Sequence, residues 1–168
     1  HNRKNIAHLA GDQSYVEQCP LFLVFCADLN RSKTSCEING KTMAETNTET
    51  FILATVDASL AAQNALITAE SLGLGGVYIG GIRNNPEDIC KILNIPSGVY
   101  PVFGMCIGYP DANPDKKERL PKDVIFKTDI YNIDRDESLM KEYDTRITDY
   151  YEKRTKGKKV GTWTNQVS

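Results

Sequence analysis

The stretch Leu72–Asp88, LGLGGVYIGGIRNNPED, sets five of the chain's twelve glycines on both sides of the apolar run Val77-Tyr78-Ile79, then adds an arginine and a helix start. Upstream, neither Gly nor Pro interrupts Thr46 to Leu72, which is filled with alanines and leucines. Gly73 follows as a stop signal. One long helix is predicted, roughly 40 Å at 1.5 Å per residue, apolar nearly all round and therefore central to the core. A short strand, Gly76 to Ile79, comes next. Downstream, Asn85 is a candidate N-cap, Pro86 takes the first helical position, and Glu87 and Asp88 lie in the first turn. That helix is expected to reach about Leu93.

The glycines admit three readings: a phosphate loop, a place where a flat ligand touches backbone, or turn chemistry. A dinucleotide fingerprint must follow a strand and open a helix, so that pyrophosphate meets helix N–H groups. Gly73, Gly75 and Gly76 instead follow a helix and precede a strand, with the wrong spacing. A Walker loop needs G-K-[ST], which is absent. Gly73 is read as a cap, and Gly75-Gly76 as the turn into the strand. Gly80 and Gly81 end that strand just before a helix, where a planar ring could approach the main chain.

Outward from this centre, Leu21 to Asp28 (LFLVFCAD) reads as a strand buried on both faces. Asn30 to Lys41 reads as a loop, Val99 to Pro110 as a second long strand, and residues 111–135 as charged loops. Glu137 to about Arg154 is a charged helix, and the tail beyond it is basic, then polar. Strand, long helix, strand, helix, strand indicates a mixed layer fold. The length suits one domain over 1–168.

Net charge is −2, so no global field points to nucleic acid or an anionic membrane. Asp57, Gln63 and Asn64 inside the long apolar stretch favour a buried helix over a membrane span. Five cysteines without a C-x-x-C, several inside apolar runs, favour reduced thiols in a cytoplasmic protein. The polar N-terminus gives no signal peptide, and its His1 and His8 are expected in a flexible start. Arg83 either neutralises Glu87 and Asp88 or contacts a nucleotide. The cations of Lys153–Lys159 are a solvated run or a phosphate site. Tyr150, Tyr151 and Trp163 are read as packing or dimer contacts.

The segment LAAQNALITAESLGLGGVYIGGIRN resembles the core of the FMN-dependent nitroreductase superfamily, in its NADPH-linked nitroreductase and flavin reductase group. LAGDQSYVEQCPLFLVFCADLNR, PVFGMCIGYPDANPDKKERLP and ITDYYEKRTKGKKVGTWTNQ agree in order, so the resemblance covers essentially the whole chain. It implies an α+β fold with a mixed sheet, flanking helices and a long central core helix. It also implies a homodimer with FMN between subunits. Tyr78, Ile79, Gly80 and Gly81 would lie along the flavin, with a backbone N–H at the first glycine aimed at N5. Gln13 would contact the ring edge, Lys117 and Arg119 the FMN anion, and Arg154 and Lys159 the NADPH phosphates. No metal and no catalytic side chain is implied, because flavin N5 is the reactive centre. Hydride would pass from NADPH to FMN, and two electrons onward to a nitroaromatic, a quinone or free flavin by a ping-pong scheme. A donor at N5 and nearby cations favour the anionic reduced ring, so the protein supplies orientation and electrostatics.

The chain departs from the family pattern at both ends. An H-R-S-x-R motif and a serine-rich segment are absent from its start, and the C-terminal arm is short. It is therefore expected to be incomplete at the N-terminus. Two alternatives follow: a flavin-binding relative or incomplete chain without turnover, and a non-enzymatic structural or interaction domain.

Overall fold

The computed structural model describes residues 2–44, 47–111, 113, 115–157 and 161–167. They fall into two compact units, His1–Asp111 and Ala112–Ser168, each taken by itself.

In the first unit, α1 (Asn2–Leu9) and α2 (Ser14–Gln18) lead into β1 (Leu21–Asp28). Then come α3 (Asn30–Ile38), α4 (Thr48–Ser71), β2 (Gly75–Ile79), a 3-10 turn (Gly80–Asn84), α5 (Pro86–Leu93) and β3 (Val99–Gly108). The sheet is antiparallel in the order β1-β3-β2. Alternate side chains point to opposite faces of a strand, and both faces here are covered. Leu23, Phe25, Met105 and Ile107 face α4, while Phe22, Val24, Ile79 and Cys106 pack with Ile6, Val16 and Ile89 of α1, α2 and α5.

Several elements run as the sequence predicts, with differences that have physical causes. β1 has packing on both faces, but most of its residues are partly rather than fully buried. The stretch read as a loop after it is α3, which buries no residue and so shows no apolar stripe. It is held at its start by Asp28, whose carboxylate accepts the Asn30 N–H at 2.8 Å and pairs with Arg31 at 3.3 Å. The start of the chain is not loose: α1 buries Ile6 and Ala7. Gly76 opens the strand as expected, and Gly75, read with it as the turn, is a strand residue too; they pair with Ile107 and Gly108. A Cβ on Gly76 would lie 2.5 Å from Leu66 Cδ1, so the missing side chain lets α4 approach β2. The turn itself is made by Gly73, at φ +75°, as a helix stop.

α4 opens with a reciprocal capping box. Asn47 Oδ1 accepts the Thr50 N–H, and Thr50 Oγ1 accepts the Asn47 N–H, both at 3.0 Å. Its buried face is narrow: Ala54, Ala58, Ala62 and Ala69 alone are buried. Ile52, Val56, Leu60 and Ile67 follow the same spacing two positions earlier, about 200° round the helix. They are 49–63% exposed. The helix is expected at the centre of the core; it packs on the sheet by its alanine face, and a second apolar face stands exposed.

Pro101 stands in the middle strand of the sheet, where a missing N–H usually costs a ladder bond. The cost is avoided in two ways: β2 pairs no further than Gly104, and a bulge between Phe25 and Cys26 skips Val102.

In the second unit, α7 (Asp136–Thr155) carries α6 (Lys122–Ile125) and α8 (Trp163–Val167). Tyr143 and Ile147 are its buried residues, and Trp163 meets Tyr143 edge-on at 6.2 Å. Asp144 accepts the Thr164 N–H at 3.1 Å and the Thr164 hydroxyl, which cap α8. These bonds, the hydroxyl first, hold the Asp144 carboxyl below its ordinary value. A lowered native value means stability present above the unfolded pKa of 3.8 and lost as pH falls through the native one. Acidification below pH 3.8 should therefore release α8, read by fluorescence of Trp163, the only tryptophan. An unchanged Trp163 signal in an Asp144→Asn variant at neutral pH would remove the basis for this expectation.

Candidate functional site

The sequence-predicted residues of the first unit meet at the corner where β2 enters the 3-10 turn. Strand alternation sends Ile79 into the core, at 1% exposure, and Tyr78 to the α4 side. There the Tyr78 hydroxyl donates to Gln63 Oε1 at 3.2 Å, and its ring meets Phe103 edge-on at 5.2 Å. Gly80 is exposed. As the first residue of a helical turn its N–H has no acceptor within that turn. A Cβ there would meet only the Arg83 guanidinium, at 3.3 Å.

Gly81 is different. A Cβ there would lie 2.2 Å from the Ala10 carbonyl oxygen and 2.8 Å from Gln13 Nε2. Its φ lies outside the left-handed region, so the glycine serves close approach of two backbones rather than turn conformation. Gln13 is thus beside Gly81. Its Nε2 donates to the Ala10 carbonyl at 2.8 Å, and its Oε1 accepts the Tyr15 hydroxyl at 2.6 Å. The carboxamide is fixed by both ends and keeps one N–H and one lone pair to offer. Asn85 does not cap α5 with its side chain; its Nδ2 donates to the Leu9 carbonyl at 3.0 Å and ties α5 to the end of α1.

Arg83 follows neither reading made from the sequence. Its Nη1 donates to the Val102 carbonyl at 2.6 Å, the residue skipped at the bulge. A bulge leaves such a group outside the ladder, and Arg83 satisfies it. Asp88 pairs with Lys91 at 2.9 Å instead. Periodicity carries no signal for a bulge, so this role was not legible.

In the second unit, Lys117, Arg119 and Arg154 are exposed, and two of them rest on tyrosines. Lys117 Nζ stands 5.2 Å from the Tyr151 ring centre; Arg154 lies over Tyr150 at 5.9 Å and donates to its hydroxyl at 2.9 Å. The two rings touch each other at 5.4 Å. The loop that carries Lys117 and Arg119 is laid along α7. Tyr150 donates to the Asp115 carbonyl and Tyr143 to the Glu118 carbonyl, both at 3.4 Å. Tyr143 and Tyr150, seven residues apart, share a helix face, with Tyr151 flanking it. Lys159 lies outside the described residues.

The corner at Gly80 offers the backbone N–H of an exposed glycine and a fixed carboxamide beside Gly81, groups that suit the edge of a flat heteroaromatic ring. The cations at 117, 119 and 154 suit phosphate, and Arg119 can present two parallel N–H bonds to it. The residues present fit FMN in kind.

The family model for nitroreductases matches residues 3–109, and the model for the C-terminal domain of the same family matches residues 117–168. The chain belongs to the nitroreductase family. The two matched ranges fall on the two compact units. Among relatives of this nitroreductase, the FMN reductase (NADPH) of Bacillus subtilis (strain 168) is 44% identical over 98% of the chain and 68% of its own length. The oxygen-insensitive NADPH nitroreductase of Salmonella typhimurium is 42% identical, over 98% and 67%. The solved NfrA1 nitroreductase of Bacillus subtilis superposes with a TM-score of 0.91 at 44% identity, covering 99% of this chain and 69% of that one. The NADPH:FMN oxidoreductase from Vibrio harveyi, solved with NAD+, gives 0.83 at 39%, covering 99% and 66%. The chain thus spans about two thirds of the length of each, and its fold is the α+β fold of the nitroreductases.

Proposed function

We propose that this nitroreductase is an FMN-dependent oxidoreductase that takes hydride from NADPH and passes two electrons to a nitroaromatic, a quinone or free flavin. The observation that carries the reading is 44% identity, over nearly the whole chain, to a protein named FMN reductase (NADPH). Bound FMN supplies the redox chemistry; the chain binds, orients and polarises.

In this reading the Gly80 N–H would face the ring nitrogen of FMN. Tyr78 and Ile79, one braced on Gln63 and one buried, keep that amide in place. Gln13, fixed against Gly81, offers its free N–H and lone pair to the ring edge. Lys117 and Arg119 neutralise the FMN anion, and Arg154 and Lys159 the phosphates of NADPH. The first test is a visible spectrum of the purified chain after addition of FMN and desalting, then with anaerobic NADPH. A retained flavin band that NADPH bleaches is expected. A retained band that NADPH leaves unchanged would reduce the chain to a flavin carrier, and a colourless protein would defeat the reading.

Arg119→Ala removes a charge-assisted contact of about 1.5–3 kcal/mol, so FMN should bind roughly tenfold to a hundredfold more weakly. Circular dichroism should be unchanged. Unaltered FMN affinity would take Arg119 out of the site.

A homodimer is part of the same reading, supported by the outer stripe of α4, where Ile52, Val56, Leu60 and Ile67 form an exposed apolar face. Leu60→Lys should make the chain monomeric by sedimentation; a dimer that survives it would assign that face another role. Five cysteines, all free, and the small-molecule chemistry support a cytoplasmic setting.

A further inference from the structure

Two of the free cysteines lie together on the face of the sheet away from α4. Cys106, in β3, is buried, and Cys19, after α2, packs against the same cluster. The Cys106 thiol donates to the Tyr15 carbonyl at 3.6 Å, and the Cys19 thiol donates to the Val16 carbonyl at 3.5 Å. Consecutive carbonyls of a helix point the same way along its axis, so both thiols lie toward the C-terminal end of α2. Arg3 joins them: its guanidinium donates to the Cys19 carbonyl and stands 4.0 Å from Cys19 Sγ.

We propose that Cys19 and Cys106 are a peroxide-oxidised pair that closes to a disulfide, with Cys19 reacting first and Cys106 resolving it. The order follows from access. Cys19 is the more exposed of the two, and the Arg3 guanidinium lies within 4.0 Å of its sulfur. Cys106 is buried and comes second: burial first, then the neighbouring Cys19, push its thiol up to about 12.

The steps balance with hydrogen peroxide as oxidant. The Cys19 sulfur attacks one peroxide oxygen, the O–O bond breaks, and a sulfenic acid and water result. The Cys106 sulfur then attacks the Cys19 sulfur; the S–S bond forms, the S–O bond breaks, and a second water leaves. Each sulfur gives one electron and the peroxide takes both.

A second pair provides an internal comparison. Cys26 and Cys90 are also neighbours, but there burial, Cys90 and the Asp28 carboxylate all hold the Cys26 thiol in its neutral form. The Asp28 carboxylate stands near this pair and the Arg3 guanidinium near the other, and peroxide is expected to choose Cys19–Cys106 over Cys26–Cys90.

The test is one equivalent of hydrogen peroxide on the reduced full chain, followed by alkylation in denaturant and peptide mapping without reduction. A Cys19–Cys106 peptide should form, with three of the five thiols left to alkylate. Cys106→Ala should leave a Cys19 sulfenic acid that dimedone traps, and Cys19→Ser should slow oxidation of Cys106 by about tenfold or more. A Cys26–Cys90 peptide forming first, five surviving thiols, or Cys19 passing to the sulfinic acid beside an intact Cys106 would each overturn the pairing. No flavin is needed, so the result stands whether or not the FMN reading does.

Discussion

Gly81→Ala is expected to cost the fold about 3 kcal/mol, the upper part of the range for overpacking a close contact. The added Cβ would stand 2.2 Å from a backbone oxygen, that of Ala10, and backbone cannot swing aside as a side-chain end can. The strain would reach Gln13 as well, whose Nε2 lies 2.8 Å from the same point. Gly80→Ala separates structure from ligand binding. Its Cβ would stand 3.3 Å from the Arg83 guanidinium, a contact that a few tenths of an ångström relieve without breaking the bond to Val102, so its denaturation midpoint should stay near the parent's while FMN affinity falls. Equilibrium unfolding and flavin retention on both variants check the pair. Equal stability of Gly81→Ala and the parent would show that the two backbones need not touch.

Asp136→Ala should be nearly as costly. Lys127 Nζ lies 2.5 Å from the Asp136 carboxylate, and the two side chains are 16% and 15% exposed. Without the carboxylate, the ammonium keeps the Asp123 carbonyl at 2.7 Å and no counter-charge. Removing one partner of a buried pair costs about 3–5 kcal/mol, and the remaining exposure argues for the lower end. Replacing both residues together, Lys127→Met with Asp136→Leu, should recover most of the loss, because the charge and its counter-charge leave together. A thermal melt of the three proteins decides it: a double variant as weak as the single one would mean that shape, not charge, is at stake.

The parts of the fold legible in the sequence are those whose burial repeats. β1, β3, α4 and α7 each carry a regular pattern over eight or more residues, and Gly73 and Pro86 mark helix ends by backbone chemistry that no context overrides. α1 and α3 were missed because they bury two residues and none; a helix held by its ends and a few contacts leaves no stripe to read. Composition does not distinguish a glycine that bends from one that admits a neighbour, so nothing in the sequence marks Gly75 as strand rather than turn. The Leu66 methyl against Gly76 is a contact between elements ten residues apart, and only the fold shows it. The candidate site came from a long shared pattern, not from spacing. Gln13 and Gly81 are far apart in sequence, and nothing local announces that they meet. Arg83 at the bulge and the tyrosines under the Lys117 loop are missed for the same reason: they act on backbone carbonyls of other elements, and carbonyls leave no mark in the sequence.

The second apolar face of α4 has a thermodynamic side. If another copy of the chain completes that face, unfolding and dissociation become one equilibrium, and the free energy of the native state carries a concentration term. Each tenfold dilution then removes about 1.4 kcal/mol per dimer, so the melting temperature slides downward as the protein thins out. For such a molecule, abundance is itself a stabilising agent: a cell that makes less of it also makes it less durable.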